Sequence, residues 1–409
     1  MNLFEELQWR GLVHSVTDES VIEKLNNGQV TFYLGTDPTG DSLHVGHLLV
    51  FILAKRLEKH GHHPILLIGG ATGFIGDPKP TAERKMLTKE QIDHNAECLY
   101  NQVKSLFNCD MVNNYDWISK LDLISFLRKY GKLFNVNYMI NKDTVKSRLD
   151  SGISYTEFSY QILQALDFEH LYKEYNCQLQ VGGQDQWGNI TGGLELIRKI
   201  HGDEAKAYGV TVPLVLKSDG TKFGKSEGGA VWLNPEKTSP YHFYQFWINT
   251  PDADVMMRLK QFTFLSVEEI YEIEKSFIAE PHLRVAQKAL AKAMTELIHG
   301  ARGLEQAEKI TQALFSGNIS ELTVEEIEMA FGGMPQVEVE ENLPLIDALV
   351  LSKAASSKRE ARQFIENGAV LVNGIQQKDL EFVVSKDNAI GKKYTIIRRG
   401  KKNYYLLKH

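Results

Sequence analysis

The chain has only three cysteines in 409 residues, Cys98, Cys109 and Cys177, an odd number without metal-like spacing. That argues against a disulfide scaffold and a structural zinc and fits a reducing compartment. No stretch reaches the roughly 20 apolar residues of a membrane span, so no membrane partner is expected. The opening MNLFEELQWRG carries acidic charge and a Trp where a secretory leader would have a basic region and an apolar run, so no leader is expected. Basic charge is scarce overall: 46 Lys and Arg stand against 52 Asp and Glu, a net charge of -6. The first glycine-rich loop lacks G-x-G-x-x-G, which counts against a dinucleotide-dependent dehydrogenase.

What is present belongs to a globular protein of two or three domains, with 43% hydrophobic and 24% charged residues. The charge is unevenly divided. From Leu351 to His409 there are 13 Lys and Arg against 5 Asp and Glu, so any polyanion contact is expected preferentially on the tail.

The organising stretch is TFYLGTDPTGDSLHVGHLLV, residues 31 to 50. A strand-like run leads into Gly35, Asp37, Pro38 and Gly40, and an apolar-periodic helix follows to Lys59, with Gly61 past its end. His44 and His47 lie three apart and share the helix's first turn, where orphan backbone N–H groups favour an anion. HPILLIGGATGFIGDP reads as a central parallel strand delivering Gly69, Gly70 and Thr72, and CQLQVGGQDQWGN repeats the pattern. The stretch from Thr81 to about Lys173 reads as mainly helical, with a loop near Val112 to Tyr115. DGTKFGKSEG, 219 to 228, reads as a mobile cationic loop; FGGMPQVEVEE, from Phe331, reads as a linker; AVLVNG, EFVV and YTIIRRGKKNYYLLKH read as strands.

These motifs carry a family likeness. His44-Val45-Gly46-His47 matches the first signature of the class I aminoacyl-tRNA synthetases and Lys222-Phe223-Gly224-Lys225-Ser226 the second, with VGGQDQWGN between them. The chain resembles the bacterial type of tyrosyl-tRNA synthetase over essentially its whole length, and ARQFIENGAVLVNG resembles that family's S4-like RNA-binding module. The resemblance implies an α/β, doubly wound Rossmann-like catalytic domain over 1–230 with a helical insertion at about 78–175. A helical anticodon-arm domain over 231–330, a linker over 331–342 and an S4-like α+β domain over 343–409 would follow.

It also implies the substrates L-tyrosine, ATP with bound magnesium and tRNA(Tyr), a homodimer, and a cytoplasmic location. Tyr160, Gln164 and Asp167 fall at i, i+4 and i+7 on one helix face, and by resemblance Asp167 and Tyr33 meet a phenol. Asp77, Tyr160, Gln164 and Gln186 would surround the ammonium and α-carbon. For ATP the family assigns Gly35, Asp37, Thr39, His44, Gly46, His47, Gly183, Asp185, Lys222, Lys225 and Ser226. Thr39, His44, Lys222 and Lys225 would bind the transition state, since an ionised carboxylate nucleophile needs no general base. The loop after Asp77 is one residue shorter than usual in the family, with Lys79 and Arg84 as candidate phosphate or tRNA-end contacts. In the tail the candidates for RNA are Arg359, Arg362, Lys392, Lys393, Arg398 and Arg399. A tryptophanyl-tRNA synthetase is the nearest alternative, disfavoured by Tyr33 with Asp167. An RNA-binding factor on a synthetase-like scaffold is disfavoured by the intact signatures.

Overall fold

The computed structural model describes residues 1–78, 86–107, 109–216, 218, 220, 223–226, 229–339, 342–400 and 403–409, without the side chains of 143, 225 and 226. The chain divides into two compact units, Met1–Asn234 with Thr250–Leu290, and Pro235–Asn249 with Ala291–His409.

The first unit is built on a six-stranded sheet of β1 (Ser15–Val16), β2 (Thr31–Thr36), β3 (His63–Ile68), β4 (Asp110–Asn113), β5 (Leu179–Gly183) and β6 (Tyr208–Val212). Their order is β1-β6-β5-β2-β3-β4, all neighbours parallel except β1 against β6. The order reverses between β2 and β5, and such a switch point opens a crevice at the strands' carboxyl ends. β3 is buried along ILLI, as expected of a central strand covered on both faces. The expected helix is Leu48–Lys59, preceded by a tight turn at Val45–His47, and Leu48, Leu49, Ile52, Leu53 and Leu57 are buried along it.

One segment corrects the sequence reading. The loop expected near Val112 is β4, pairing Ile65–Ile68 with Asp110–Asn113. The helix Lys89–Leu106 and β4 are therefore an ordinary crossover unit, and the stretch expected as an insertion from about 78 contributes a strand to the main sheet. At four residues, none of them fully buried, β4 has too short and too polar a pattern to announce itself.

The helical stretch expected as one domain over 231–330 divides. Thr250–Leu290 packs with the catalytic sheet because two arginines of the first unit reach it. Arg10 donates to the Lys260 and Leu265 carbonyls at 3.2 and 2.7 Å, and Arg56 donates to the Thr263 carbonyl. Both also bond Glu6 Oε1, at 2.6 and 3.1 Å, and burial drives the Arg56 guanidinium down to about 9.

In the second unit, Ile310, Ala313, Ile327 and Phe331 form one core with Tyr394, Ile396 and Leu406 of the tail. The tail's strands run in the order Ile375–Gln376, Val370–Val372, Tyr394–Arg399, Asn403–Lys408 and Gln336–Glu338. That last strand is the second correction. The expected linker over 331–342 contains Gln336–Glu338, which lies parallel to Leu406–Lys408. Val337 and Val339, both partly buried, alternate with the exposed Glu338, a strand pattern that the local acidic charge obscured.

Candidate active site

The crevice at the β2/β5 switch point is a cavity of about 510 Å³. It is lined by Tyr33, Gly35, Asp37, Thr39, His44, Gly46, His47, Asp77, Tyr160, Gln164, Asp167, Gly183, Asp185 and Gln186. Every expected amino-acid contact is therefore in one cavity with most of the expected nucleotide contacts. Thr72, Gln180 and the run Val212–Val215 line it too.

At the closed end, Asp167 comes from the helix Tyr155–Tyr175 and is almost fully buried. Both its oxygens are held: Asn114 Nδ2 donates to Oδ2 and Trp117 Nε1 to Oδ1, each at 2.9 Å. Burial raises the Asp167 carboxyl from 3.8 to about 8, against the pull of those two donors, and Asp37 adds to the rise. The Tyr33 hydroxyl is buried without a hydrogen-bond partner, and burial followed by the charge of Asp167 pushes its ionisation well up. A buried polar pair with unused capacity at the closed end of the cavity suits a ligand that ends in a hydroxyl, and the Phe168 ring, 5.2 Å from that of Tyr33, packs with it in the core.

Asp37 is placed differently from its expected role. Its Oδ2 accepts from the Tyr160 hydroxyl at 2.9 Å and its Oδ1 from Thr72 Oγ1 at 2.7 Å, so the carboxylate faces the amino-acid side of the cavity. Asn114 Nδ2 also donates to Thr72 Oγ1 at 3.0 Å, joining Asp37, Thr72, Asn114 and Asp167 in one network. Gly69 makes room for it: a Cβ there would stand 2.1 Å from Asp37 Oδ1. On the opposite wall, Asp77 accepts from Gln186 Nε2 at 3.0 Å and from Asn189 Nδ2 at 3.3 Å. Gln164 Oε1 is buried without a partner.

At the open end, the backbone N–H of Gly46 donates to His44 Nδ1 at 3.1 Å, and that of His44 to His47 Nδ1 at 3.2 Å. An Nδ1 that accepts leaves the ring proton on Nε2, so each imidazole is a donor at its far edge. The rings stack at 3.9 Å, with His47 exposed at the mouth of the cavity. The second signature touches the first directly. Gly224 adopts φ +91, and a Cβ on it would stand 3.0 Å from the Gly46 nitrogen. The returning chain is stitched on by Val45 N to Val231 O at 2.9 Å and Leu233 N to Leu43 O at 2.9 Å.

Lys222, Lys79 and Arg84 lie outside the described residues, as do the side chains of Lys225 and Ser226. In the tail, Arg359, Arg362 and Lys392 are exposed, whereas Lys393 is paired with Glu328 at 2.6 Å and Arg399 donates to the Ala354 carbonyl. Sequence reasoning missed Asn114, Trp117 and Asn189. The first two follow β4, the strand that was not read; Asn189 sits three residues beyond Gln186, a helical spacing that could have found it.

The comparisons agree with this geometry. The family profile for class I tRNA synthetases (W and Y) matches residues 25–316, and that for the tyrosine–tRNA ligase SYY-like C-terminal domain matches 326–407. A tyrosine–tRNA ligase of Listeria monocytogenes is 53% identical over 418 aligned residues, covering 100% of both chains. Tyrosine–tRNA ligase 1 of Bacillus cereus is 55% identical over 419, again with 100% of both covered. Among solved structures, a C-terminally truncated mitochondrial tyrosyl-tRNA synthetase of Aspergillus nidulans superposes with a TM-score of 0.69 at 33% identity, over 77% of this chain and 94% of that one. The chain belongs to the class I tRNA synthetases of the tryptophan and tyrosine type, on the tyrosine–tRNA ligase branch that carries the SYY-like C-terminal domain.

Proposed function

We infer that the chain is an ATP-dependent tyrosine–tRNA ligase. The tyrosine carboxylate attacks the α-phosphorus of ATP, giving tyrosyl-adenylate and pyrophosphate; the terminal adenosine hydroxyl of tRNA(Tyr) then takes the acyl group and AMP leaves. The observation that carries the choice of tyrosine is the buried pair of Asp167 and the unpartnered Tyr33 hydroxyl in the same cavity as the HVGH signature. In this reading the phenol donates to Asp167 and accepts from Tyr33. Tyr160, Gln164, Asp77 and Gln186 surround the ammonium, with Asp37 holding Tyr160 in place.

For the nucleotide, Thr39 and the Nε2 edges of His44 and His47 face the phosphates and ribose. Gly183 and Asp185 take the sugar, while Lys222 and Lys225 supply charge for the departing pyrophosphate. The protein's work is alignment and charge stabilisation, since the nucleophile is already ionised. Magnesium bound to the triphosphate would supply further charge neutralisation there. Among the described residues of the cleft, Asp37, Asp77, Asp167 and Asp185 each accept from a protein donor.

A homodimer is favoured by the apolar side chains left exposed after β4. Leu123, Ile124 and Val136 are 68%, 69% and 56% exposed on the short helices Leu123–Lys129 and Val136–Ile140, and Tyr155, 69% exposed, opens the helix Tyr155–Tyr175. The tail and its exposed Arg359 and Arg362 suit a phosphate-rich RNA surface. Pyrophosphate exchange with each standard amino acid, followed by tRNA charging, tests the activity. Exchange that depends on tyrosine alone, with charging of tRNA(Tyr), is the expected result; exchange with tryptophan, or none, overturns the reading. Light scattering should give twice the 46.4 kDa chain mass.

The raised Asp167 carboxyl makes tyrosine binding depend on pH. A carboxyl lifted to about 8 holds its proton below that pH in the empty pocket, whereas a phenol that donates to it prefers the ionised form. Tyrosine affinity should therefore strengthen as pH rises from 6 towards 8, with no matching trend for phenylalanine. Equilibrium binding across that window checks it, and a flat tyrosine profile would remove the proposed donor–acceptor pairing.

A further inference from the structure

The helix Asp252–Phe262 presents Asp254, Arg258 and Phe262 at four-residue spacing, one stripe of its surface, and all three touch the segment that bears the second signature. Asp254 Oδ2 accepts from the backbone N–H of Ser218 at 3.2 Å. The Arg258 guanidinium, 5% exposed, donates to the Leu216 carbonyl and to Gln261 Oε1 at 2.8 Å, and its carbon lies 5.0 Å from the centre of the Phe223 ring. Phe262 stacks on Phe223 from 5.5 Å at an angle of 27°.

Phe223 is thus in contact with both a guanidinium and a second ring immediately beside Gly224, which rests on Gly46. The helix is itself immobilised: Val255, Leu259 and Phe262 are fully buried, and Arg10 and Arg56 hold the carbonyls of Lys260 and Thr263. A lysine stabilises a phosphate only when the backbone that carries it stands at the right place, and a misplacement of about 1 Å costs about a hundredfold.

We propose that Arg258, with Asp254 and Phe262, is a positioning residue for the activation step, fixing where the chain bearing Lys222 and Lys225 leaves and rejoins the fold beside the HVGH turn. The proposal rests on the ATP-dependent reading above. It assigns these residues no contact with substrate. The pocket for tyrosine is built from other elements, so the two should separate experimentally.

The test compares the parent chain with R258A and R258K in three measurements: tyrosine affinity, the single-turnover rate of adenylate formation at saturating tyrosine, and tryptic cleavage within 217–225. R258A should leave tyrosine affinity unchanged, slow adenylate formation by about 10- to 100-fold, and raise cleavage in the loop several-fold. R258K, which keeps a donor for the Leu216 carbonyl, should recover part of both. If R258A does not fold, F223L removes the ring from these contacts while keeping apolar volume, and the same split is expected. Unchanged rate and cleavage, or tyrosine affinity falling in step with the rate, overturns the proposal. A parent chain that makes no adenylate overturns the assigned activity instead, and cleavage still decides whether the helix anchors the loop.

Discussion

Replacing Asp167 with alanine should abolish the preference for tyrosine over phenylalanine. The loss has two parts. A hydrogen bond to a charged acceptor contributes about 1.5 to 3 kcal/mol, and its removal falls on tyrosine alone. The Trp117 indole, now donating at 2.9 Å, would in addition lose its acceptor, and the Asn114 amide would keep only Thr72 Oγ1. Tyrosine kcat/KM should fall by about 10- to 150-fold on the first part alone, while phenylalanine, which never used the carboxylate, changes little. Rejection of a substrate lacking a hydroxyl is a property for which this synthetase family is the standing illustration, so what is specific to this chain is the assignment to Asp167 and its two donors. Steady-state pyrophosphate exchange with both amino acids measures it. Retained discrimination in the variant would mean that the helix Tyr155–Tyr175 does not present Asp167 to the phenol.

The second large effect is expected from His44→Asn. Asparagine is a favoured residue at a helix start, and its side-chain oxygen can take over the bond from the Gly46 N–H, so the turn should survive. What disappears is the Nε2 edge. A donor aimed at charge that develops only during reaction accounts for about 10²- to 10³-fold in rate, so adenylate formation should slow by that much with tyrosine affinity intact. Rapid-quench measurement beside equilibrium binding separates the two quantities. Equal losses in both would make His44 a contributor to ground-state binding.

The elements legible in advance were those whose signal is local. Three strand ends with glycines, the helix face bearing Tyr160, Gln164 and Asp167, and the hairpin strands of the tail all rest on spacing within about twenty residues. The features that escaped depend on distant partners. β4 is a strand only because β3 lies beside it. The Gln336–Glu338 strand exists because the chain's last strand, some 70 residues on, offers an edge. The division of the helical stretch was likewise invisible, since Arg10 and Arg56 satisfy their guanidinium groups on carbonyls more than 200 positions away. At the site, the acidic pocket residues could be named, and so could Tyr160 and Gln186, which donate to Asp37 and Asp77, but not Asn114 and Trp117, because asparagine and tryptophan after an unread strand carry no mark of their partner.

The parallel pairing of Gln336–Glu338 with Leu406–Lys408 bears on how the tail can be handled as a separate piece. A fragment started at residue 343 would lose the outermost ribbon of its five-stranded sheet and lay bare the hydrogen-bonding groups along Asn403–Lys408. Unprotected borders of that kind recruit strands from other molecules. A fragment intended to stay dispersed should therefore begin upstream of Gln336, and one beginning at the buried Phe331 would keep that aromatic plug as well.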